Sequence, residues 1–235
     1  MKKLIILLLL AFSQYSGYAQ KIKLIEKRLP FSASQSVNLN LRFADDIKVQ
    51  YWDKAEVYVK IAVEINSGKL NDALTVSTGS STDEISLKTD FNNEMLEDGR
   101  ATDCPDNKDH HSSWSRNGKN YYVCSKINYE VFLPKQAELA LETINGNIWI
   151  SSVYSPIKAK TISGFVEVNW PKGKGGTLGM KTITGEVYSD LNIAFTSKRQ
   201  KNPIVGYQLE GTVNGGGPKV QLESISNNVY VRNKN

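Results

Sequence analysis

The sequence is poor in the residues that usually carry catalysis and metal binding. Its 235 residues include two histidines and two cysteines. The histidines, His110 and His111, are adjacent in one polar segment, whereas a Ser-His-Asp triad needs a histidine held rigidly beside its partners. No GxSxG motif occurs, and no glycine-rich loop is followed by the lysine and serine or threonine of a phosphate site. The sequence therefore predicts neither enzyme activity nor a cofactor.

Long apolar runs are also missing after the first twenty residues. The run LIILLLLAF, which follows Lys2 and Lys3, is nine residues long, and a bilayer span needs roughly 20. Gly17 and Ala19 stand at the small-residue spacing that signal peptidase reads. We predict a cleaved signal peptide at residues 1–20. The mature protein is then expected in the periplasm or at the cell surface, without a membrane span.

The chain lacks a strong excess of charge of either sign. Without Lys2 and Lys3, 27 basic residues face 24 acidic ones, a net charge of +3. The tight basic cluster KRQK at 198–201 is interpreted as a solvated loop. A nucleic-acid partner would need more positive charge on one face and is not expected.

The two cysteines predict one disulfide bond. In an oxidising compartment Cys104 and Cys124 are expected to pair, closing a loop of about 20 residues that is worth roughly 3 kcal/mol. Both belong to a stretch at about 91–125 that is rich in Asn, Asp, Ser and Gly. We interpret this stretch as a loop insertion in a single domain spanning 21–235.

A metal site in the same stretch is the weaker alternative. His110 and His111 lie near several carboxylates, and histidine with carboxylate can bind zinc or another transition metal. Adjacent histidines in an extended chain point apart, however, and a cysteine in a disulfide does not ligate. A polar loop without metal is the preferred interpretation.

Alternating apolar residues dominate the remainder of the mature chain. VYVKIAVEI at 57–65, INYEVFL at 127–133 and ELALETI at 138–144 show a period of two, rich in β-branched and aromatic residues. No segment shows a convincing helical period. The fold class predicted is all-β.

A short motif with a glycine-like corner recurs along the second half. Its corner residues are Gly146, Gly164, Gly185, Gly215 and Asn227, types that tolerate positive φ. A period near 20 residues is typical of a solenoid, in which stacked copies bury one continuous core. We predict a β-solenoid, with an antiparallel sandwich or meander as the alternative. The copies are TINGNIWI (143), TISGFVEV (161), TITGEVYS (182), TVNGGGPKVQL (212) and SISNNVYV (224), with FADDIKVQYW (43–52) as an earlier relative.

Alternation within the motif predicts which side chains face the core. In each unit, the aliphatic residue two before the corner and the aliphatic residues two and four after it are expected to point inward. In the copy at 212 the three extra residues shift the later pair accordingly. They are Ile144, Ile148, Ile150, Ile162, Val166, Val168, Ile183, Val187, Val213, Val220, Leu222, Ile225, Val229 and Val231.

The outward positions of the motif carry the candidate binding residues. Trp149, Tyr188 and Tyr230 occupy the position between the two inward residues, and Phe165 is expected on the same face. Stacked copies would align them into a row of rings that can bind a sugar or a protein. The alternative is that the rings pack on one another or lie under the segment at 192–210. Glu167 and Gln221 take the same outward position in the other copies.

Two segments together with the corner motifs carry a family resemblance. INYEVFLPKQAELALETINGNI and GTVNGGGP resemble the putative-adhesin domain family, exported bacterial β-solenoid domains of unknown function that are similar to auto-transporter adhesin heads. The resemblance covers about residues 30–235, and the cysteine-containing stretch at 91–125 departs from it. It implies a stacked-coil fold and no established enzyme activity.

These observations together predict a non-catalytic envelope or cell-surface protein. Its expected role is that of an adhesin or interaction scaffold, a monomer that binds a glycan or a protein along an elongated face. One alternative is a periplasmic component of an envelope-stress or sigma/anti-sigma signalling system. A second is a carbohydrate-active β-helix enzyme that uses Glu167 and Glu186, although a solvated outer face explains these carboxylates better.

Overall fold

A computed structural model describes residues 21–104, 110–196, 206 and 208–234. The predicted signal peptide and the KRQK cluster lie outside these residues. The one α-helix among them is α1 (Asn93–Leu96), and short 3-10 turns occur at Asn71–Ala73 and Ala101–Asp103. The strands are β1 (Lys23–Pro30), β2 (Ser36–Leu41), β3 (Asp46–Trp52), β4 (Glu56–Ile65), β5 (Leu74–Ser80), β6 (Glu84–Phe91), β7 (His110–Arg116), β8 (Lys119–Pro134), β9 (Glu138–Asn145), β10 (Asn147–Ile150), β11 (Ile157–Ser163), β12 (Val166–Pro171), β13 (Gly176–Thr182), β14 (Val187–Ser189), β15 (Ala194–Phe195), β16 (Gln208–Val213), β17 (Lys219–Ser224) and β18 (Val229–Lys234).

The strands form two mixed sheets, which confirms the all-β prediction. The first sheet has the order β1-β4-β8-β3-β10-β12-β18-β14, with β7 paired to β8. The second has the order β15-β16-β13-β17-β11-β9-β2-β6-β5. Pairing is parallel in the middle of each sheet, and antiparallel strands such as β1 and β5 lie at the edges. In the described part of the chain, no helix is long and apolar enough to cross a bilayer.

Four of the five copies of the motif carry the chain from the second sheet to the first. In four copies the strand before the corner lies in the second sheet and the strand after it in the first, as in β9 and β10. Ile148 pairs with Val166, Val166 with Val229, and Val229 with Val187. This in-register pairing confirms the alignment of these copies. Asn147 pairs with Asp46, so the early relative at 43–52 is aligned as well.

The spatial order of the copies differs from their order in the sequence. The pair β17–β18 lies between β11–β12 and β13–β14 in both sheets. Copies that follow one another in the sequence are therefore not neighbours in space at this point. The physical reason is that all copies share one register and one pattern of inward residues, so a parallel ladder accepts any copy as the next neighbour.

The copy around Gly215 does not form a corner between sheets, which corrects that prediction. Strands β16 and β17 both lie in the second sheet, on opposite sides of β13. Gly215 has a φ of 81° in the turn that leads round the start of β13. Gln221 consequently pairs with Lys158 and Gly179 in the second sheet and is absent from the row of outward residues in the first.

Positive φ is not the reason for glycine at most corners. Gly146 has a φ of 109°, as predicted, but Gly164, Gly185 and Asn227 are not in the left-handed region. A Cβ at Gly164 would lie 2.1 Å from the carbonyl oxygen of Gly146, and one at Gly185 would lie 2.2 Å from that of Asn227. Glycine is required there because the main chains of neighbouring copies touch.

The inward residues after the corners form the core, except Val187, which is only half-buried, but the isoleucines before the corners do not. Ile148, Val166 and Val229 are fully buried, whereas Ile162 and Ile183 are exposed. Ile144 and Ile225 are half-buried. The reason is that the preceding residue turns inward instead, because its hydroxyl bonds a corner carbonyl. These buried hydroxyl residues are Thr143, Thr161, Thr182 and Ser224.

Three of the buried hydroxyls, those of Thr161, Thr182 and Ser224, link neighbouring copies. Thr161 Oγ1 donates to the carbonyl oxygen of Gly146 at 3.0 Å, and Ser224 Oγ donates to that of Gly164 at 2.6 Å. Each bond satisfies a main-chain acceptor at a corner, where the regular ladder is interrupted. The motif therefore needs a small hydroxyl residue at this position as much as it needs glycine.

Thr161→Val is expected to lower the free energy of unfolding by about 1–3 kcal/mol. The change keeps the side-chain shape but leaves the buried Gly146 carbonyl without its donor. Urea unfolding followed by circular dichroism measures the loss. Thr184→Val is the matched control, since Thr184 is exposed, and it should change stability by less than about 0.5 kcal/mol. Equal effects of the two variants would contradict the role given to the buried hydroxyl.

The stretch at 91–125 contains the predicted disulfide and more regular structure than its composition indicates. Cys104 and Cys124 are bonded, with their Cα atoms 5.8 Å apart. Strands β7 and β8 form a hairpin whose turn is Asn117-Gly118, both with positive φ. Asn-Gly is the strongest short hairpin signal, and the polar flanking sequence obscured it.

Candidate aromatic binding face

The four predicted ring residues lie together on the outer face of the first sheet. The ring centroids of Trp149 and Phe165 are 4.7 Å apart, those of Phe165 and Tyr230 are 5.8 Å apart, and those of Tyr230 and Tyr188 are 5.3 Å apart. We call Trp149, Phe165, Tyr230 and Tyr188 the aromatic row. The rings follow one another without a gap across four neighbouring strands or strand starts.

Strand register brings the row together. Trp149 pairs with Glu167, Glu167 with Tyr230, and Tyr230 with Tyr188. These four paired residues therefore occupy one line across the sheet. Phe165 immediately precedes β12 and fills the place beside Glu167, between Trp149 and Tyr230. The order in space places Tyr230 before Tyr188 because β18 lies between β12 and β14.

The row combines mutual packing with exposed ring surface. Tyr188 and Tyr230 are stacked with an interplanar angle of 11°, and Phe165 meets both neighbours edge to face. Trp149 keeps 37% of its surface exposed and Tyr188 keeps 46%. The packing holds the rings in fixed orientations, while both ends of the row stay open to solvent. The aromatic row therefore fits both interpretations of the sequence. Its rings pack on one another, and they also leave ring surface open to a partner.

Polar side chains line one edge of the aromatic row. Asp46 Oδ1 accepts hydrogen bonds from Trp149 Nε1 at 3.3 Å and from Asn147 Nδ2 at 3.1 Å. Tyr188 OH donates to Glu186 Oε2 at 2.5 Å, and this bond to a carboxylate raises the pKa of the Tyr188 hydroxyl. These bonds fix the rings from the side, and they place carboxylate oxygens at the ring edges of Trp149 and Tyr188.

The two candidate carboxylates of a glycosidase are not paired with each other. Glu167 Oε2 is 3.2 Å from Nε of Arg232, whose guanidinium carbon lies 4.9 Å from the centroid of the Tyr230 ring. Glu186 bonds Tyr188 and precedes β14, so β18 separates it from β12, which carries Glu167. Each carboxylate is thus held by a neighbouring side chain of the same face.

A second aromatic cluster on the same face was missed by the sequence analysis. Trp52, Tyr58 and Phe132 have ring centroids 5.3–6.0 Å apart. The guanidinium of Arg28 lies 4.2 Å from the Tyr58 ring centroid, and the ammonium of Lys54 lies 4.7 Å from that of Trp52. The sequence carried one signal for this cluster. Tyr58 and Phe132 each alternate with fully buried valines or leucine, so both occupy outward positions of their strands.

A shallow depression lies between the two groups of rings. Its volume is about 410 Å³, and its lining includes Lys48, Gln50, Trp149, Glu167 and Asn169. Gln50 pairs with Phe132 of the second aromatic cluster, and Trp149 begins the aromatic row. The outer face of the first sheet is thus a continuous surface of rings, amides and charged side chains.

The histidine segment gives no metal centre that can be described. His110 and His111 belong to β7, opposite Ser125 and Cys124, and their side chains, like Asp106 and Asp109, lie outside the described residues. Cys104 is held in the disulfide. In the part of the chain that the structure describes, no group of three or more metal-ligating side chains is assembled. The metal alternative stays a prediction.

The fold is similar to that of a solved bacterial protein. A structure titled a putative cell adhesion protein from Clostridium sporogenes aligns with a TM-score of 0.51 at 13% sequence identity, covering 91% of this chain and 100% of that chain. The two chains share a fold. A putative adhesin from Bacteroides fragilis aligns over 90% of this chain and 97% of that one, with a TM-score of 0.27 and 8% identity.

Sequence comparison adds no closer relationship. No protein-family model matches the chain, and no curated protein matches it. The resemblance to the putative-adhesin domain family therefore stays a prediction. At 13% identity the Clostridium protein supports the fold alone, and the functional argument depends on the residues of the outer face.

Proposed function

We propose that this chain is an exported, non-catalytic protein of the bacterial envelope that binds a glycan or protein partner along the outer face of the first sheet. The aromatic row carries the proposal, because four rings with fixed orientations and partly open faces form a line on one surface. Aromatic residues supply large contact area at low conformational cost. An elongated line of them suits many weak contacts along an extended partner.

We also infer that the chain winds as a β-solenoid with one repeated motif at a corner of each coil. Support comes from the strand pairs that alternate between the two sheets, and from the parallel, in-register ladders that join one pair to the next. In this arrangement outward residues form straight ladders at a spacing of about 4.8 Å. The solenoid thereby aligns the rings that the proposed function uses.

Export is supported by the disulfide and by the predicted signal peptide. Disulfides persist in oxidising compartments and are rare in the bacterial cytosol. The name of the Clostridium protein is compatible with a position at the cell surface. The deciding measurement is the protease accessibility of the protein on intact and on permeabilised cells. Cleavage on intact cells is expected for an adhesin, whereas protection until permeabilisation would favour the periplasmic signalling role and direct the search to envelope partners by cross-linking.

Trp149→Ala and Tyr188→Ala are each expected to weaken partner binding about tenfold or more. Truncating an anchoring aromatic at an interface typically costs 1.4 kcal/mol or more, and about 1.4 kcal/mol corresponds to tenfold. Binding of the purified protein to a glycan array and to immobilised host matrix proteins measures the effect. Tyr122→Ala is the control, because Tyr122 is also an exposed tyrosine but lies on the β8 hairpin.

Two results would contradict this function. Unchanged binding in both Trp149→Ala and Tyr188→Ala would remove the aromatic row from the interface. Turnover of an acidic polysaccharide by the purified protein, abolished in Glu167→Gln, would establish an enzyme instead.

A further inference from the structure

A cavity separate from the aromatic row lies between the corner segments, α1 and the β7–β8 hairpin. Its volume is about 540 Å³, within the range of small-molecule sites. Three rings form its apolar walls. Phe43 and Phe91 are stacked at 4.2 Å, and Trp114 stacks on Tyr121 at 5.5 Å. None of its lining residues belongs to the aromatic row.

Four polar side chains line the same cavity with open hydrogen-bonding capacity. Asn93 and Asn145 contribute amides, and Ser112 and Ser125 contribute hydroxyls. Within the described residues, none of these four side chains has a hydrogen-bond partner in the protein. Two amides and two hydroxyls that converge on one cavity offer both donors and acceptors to a ligand.

Two arginines at or near the cavity are paired with carboxylates within the described residues. Arg116 Nη1 lies 2.8 Å from Glu97 Oε1 at the rim, and Arg42 Nη1 lies 2.6 Å from Asp90 Oδ2. The Arg42 guanidinium also covers the Phe43 ring, 5.6 Å from its centroid. A charged ligand would have to break one of these pairs, so the cavity suits a neutral ligand. A purely apolar ligand would leave the amides and hydroxyls without partners, at a cost in affinity.

We propose that this cavity binds one or two units of a neutral sugar. The C–H faces of a pyranose ring pack on Phe43, Phe91 or Trp114, while its hydroxyls exchange hydrogen bonds with Asn93 and Asn145. The cavity volume of about 540 Å³ accommodates such a ligand. This site is independent of the proposed binding along the outer face of the first sheet, so either can fail without the other.

The disulfide holds one wall of this cavity in place. Cys124 lies between Val123 and Ser125, which both line the cavity, and its bond to Cys104 ties the β8 strand to the segment that follows α1. Saturable sugar binding is therefore expected in the oxidised protein, and weaker binding after reduction.

The test uses the oxidised mature chain and saturation-transfer NMR. The probes are glucose, galactose, mannose, N-acetylglucosamine and cellobiose, with glucuronate as the anionic probe and indole as the apolar probe. At least one neutral sugar is expected to bind with a dissociation constant of about 10 mM or lower, a weak affinity in keeping with a few hydrogen bonds. Asn93→Ala and Asn145→Ala should each weaken this binding about five- to tenfold. Tyr154→Ala, which removes an exposed ring outside both the cavity and the aromatic row, should leave it unchanged.

Three outcomes would overturn the sugar site. The first is the absence of saturable binding by any neutral probe. The second is sugar binding that neither Asn93→Ala nor Asn145→Ala weakens, and the third is tighter binding of indole or glucuronate than of every neutral sugar. Loss of sugar binding in Trp149→Ala, with Asn145→Ala unaffected, would instead assign the sugar to the aromatic row and support only the proposed function.

Discussion

Gly164→Ala is expected to lower the free energy of unfolding by about 3 kcal/mol or more, the upper part of the range for overpacking. An added Cβ would lie 2.1 Å from the carbonyl oxygen and 2.5 Å from the carbonyl carbon of Gly146. Both are main-chain atoms and cannot rotate away. Relief would require the copies at 143–150 and 161–168 to separate, which would also strain the bond from Thr161 to Gly146.

Gly173→Ala is the matched control for this variant. Gly173 has a φ of 73°, and an added Cβ there would have no atom within 4 Å. Its expected cost is about 1–2 kcal/mol, from the left-handed backbone alone. Chemical denaturation of both variants separates the two causes. If Gly164→Ala proved no more destabilising than Gly173→Ala, close main-chain contact would not be the reason for glycine at the corner.

Removing the disulfide is the second change with a large expected effect. The double variant Cys104→Ser, Cys124→Ser opens a loop with a sequence separation of 20 residues. The chain-entropy model gives a loss of roughly 3 kcal/mol, which corresponds to a Tm about 6–12 °C lower for a domain of this size. Differential scanning calorimetry measures the shift. Part of the loss is expected to be local, because the bridge connects the hairpin to the short turn Ala101–Asp103.

Reduction supplies the control for the disulfide. Dithiothreitol should lower the Tm of the wild-type protein by nearly the same amount and leave the double variant unchanged. A wild-type Tm that does not respond to complete reduction, verified by thiol titration, would show that packing of the hairpin alone holds this region. Trp114 packs on Tyr121 within the hairpin and gives a local fluorescence signal for the same experiment.

Strand phase and register were predictable because they depend on short-range pattern. Ile148, Val166 and Val229 occupy equivalent positions in their motifs, and they are neighbours across the first sheet. A shift by one residue would turn these fully buried side chains to solvent, so the apolar pattern specifies the register strongly. The pairing of the two cysteines followed in the same way from their number and the expected compartment.

The order of the copies and the exceptions to the motif were not predictable from that pattern. No feature of the motif sequence identifies SISNNVYV as the spatial neighbour of TISGFVEV, because any copy with the same register could pair with that strand. The outward turn of Ile162 depends on a hydrogen bond from Thr161 to a corner carbonyl of another copy. The three glycines at 215–217 look like a corner in sequence but lead round the start of β13.

The candidate site likewise has one part that the sequence pattern predicted and one part that it did not. The four residues of the aromatic row share one position in a repeated unit or lie beside it, so a sequence alignment was enough to group them. Trp52, Tyr58 and Phe132 come from three strands without a common motif, and only the pairing of β4 with β8 and of β8 with β3 brings them together. Their grouping required the sheet topology.

The position of β17 and β18 has a consequence for the timing of folding. Residues 219–234 supply the strands between β11–β12 and β13–β14, so a chain emerging from its amino terminus makes the outer neighbours first and the middle last. Until residue 234 has emerged, β12 and β14 each lack the strand that joins them, and the row of rings is divided.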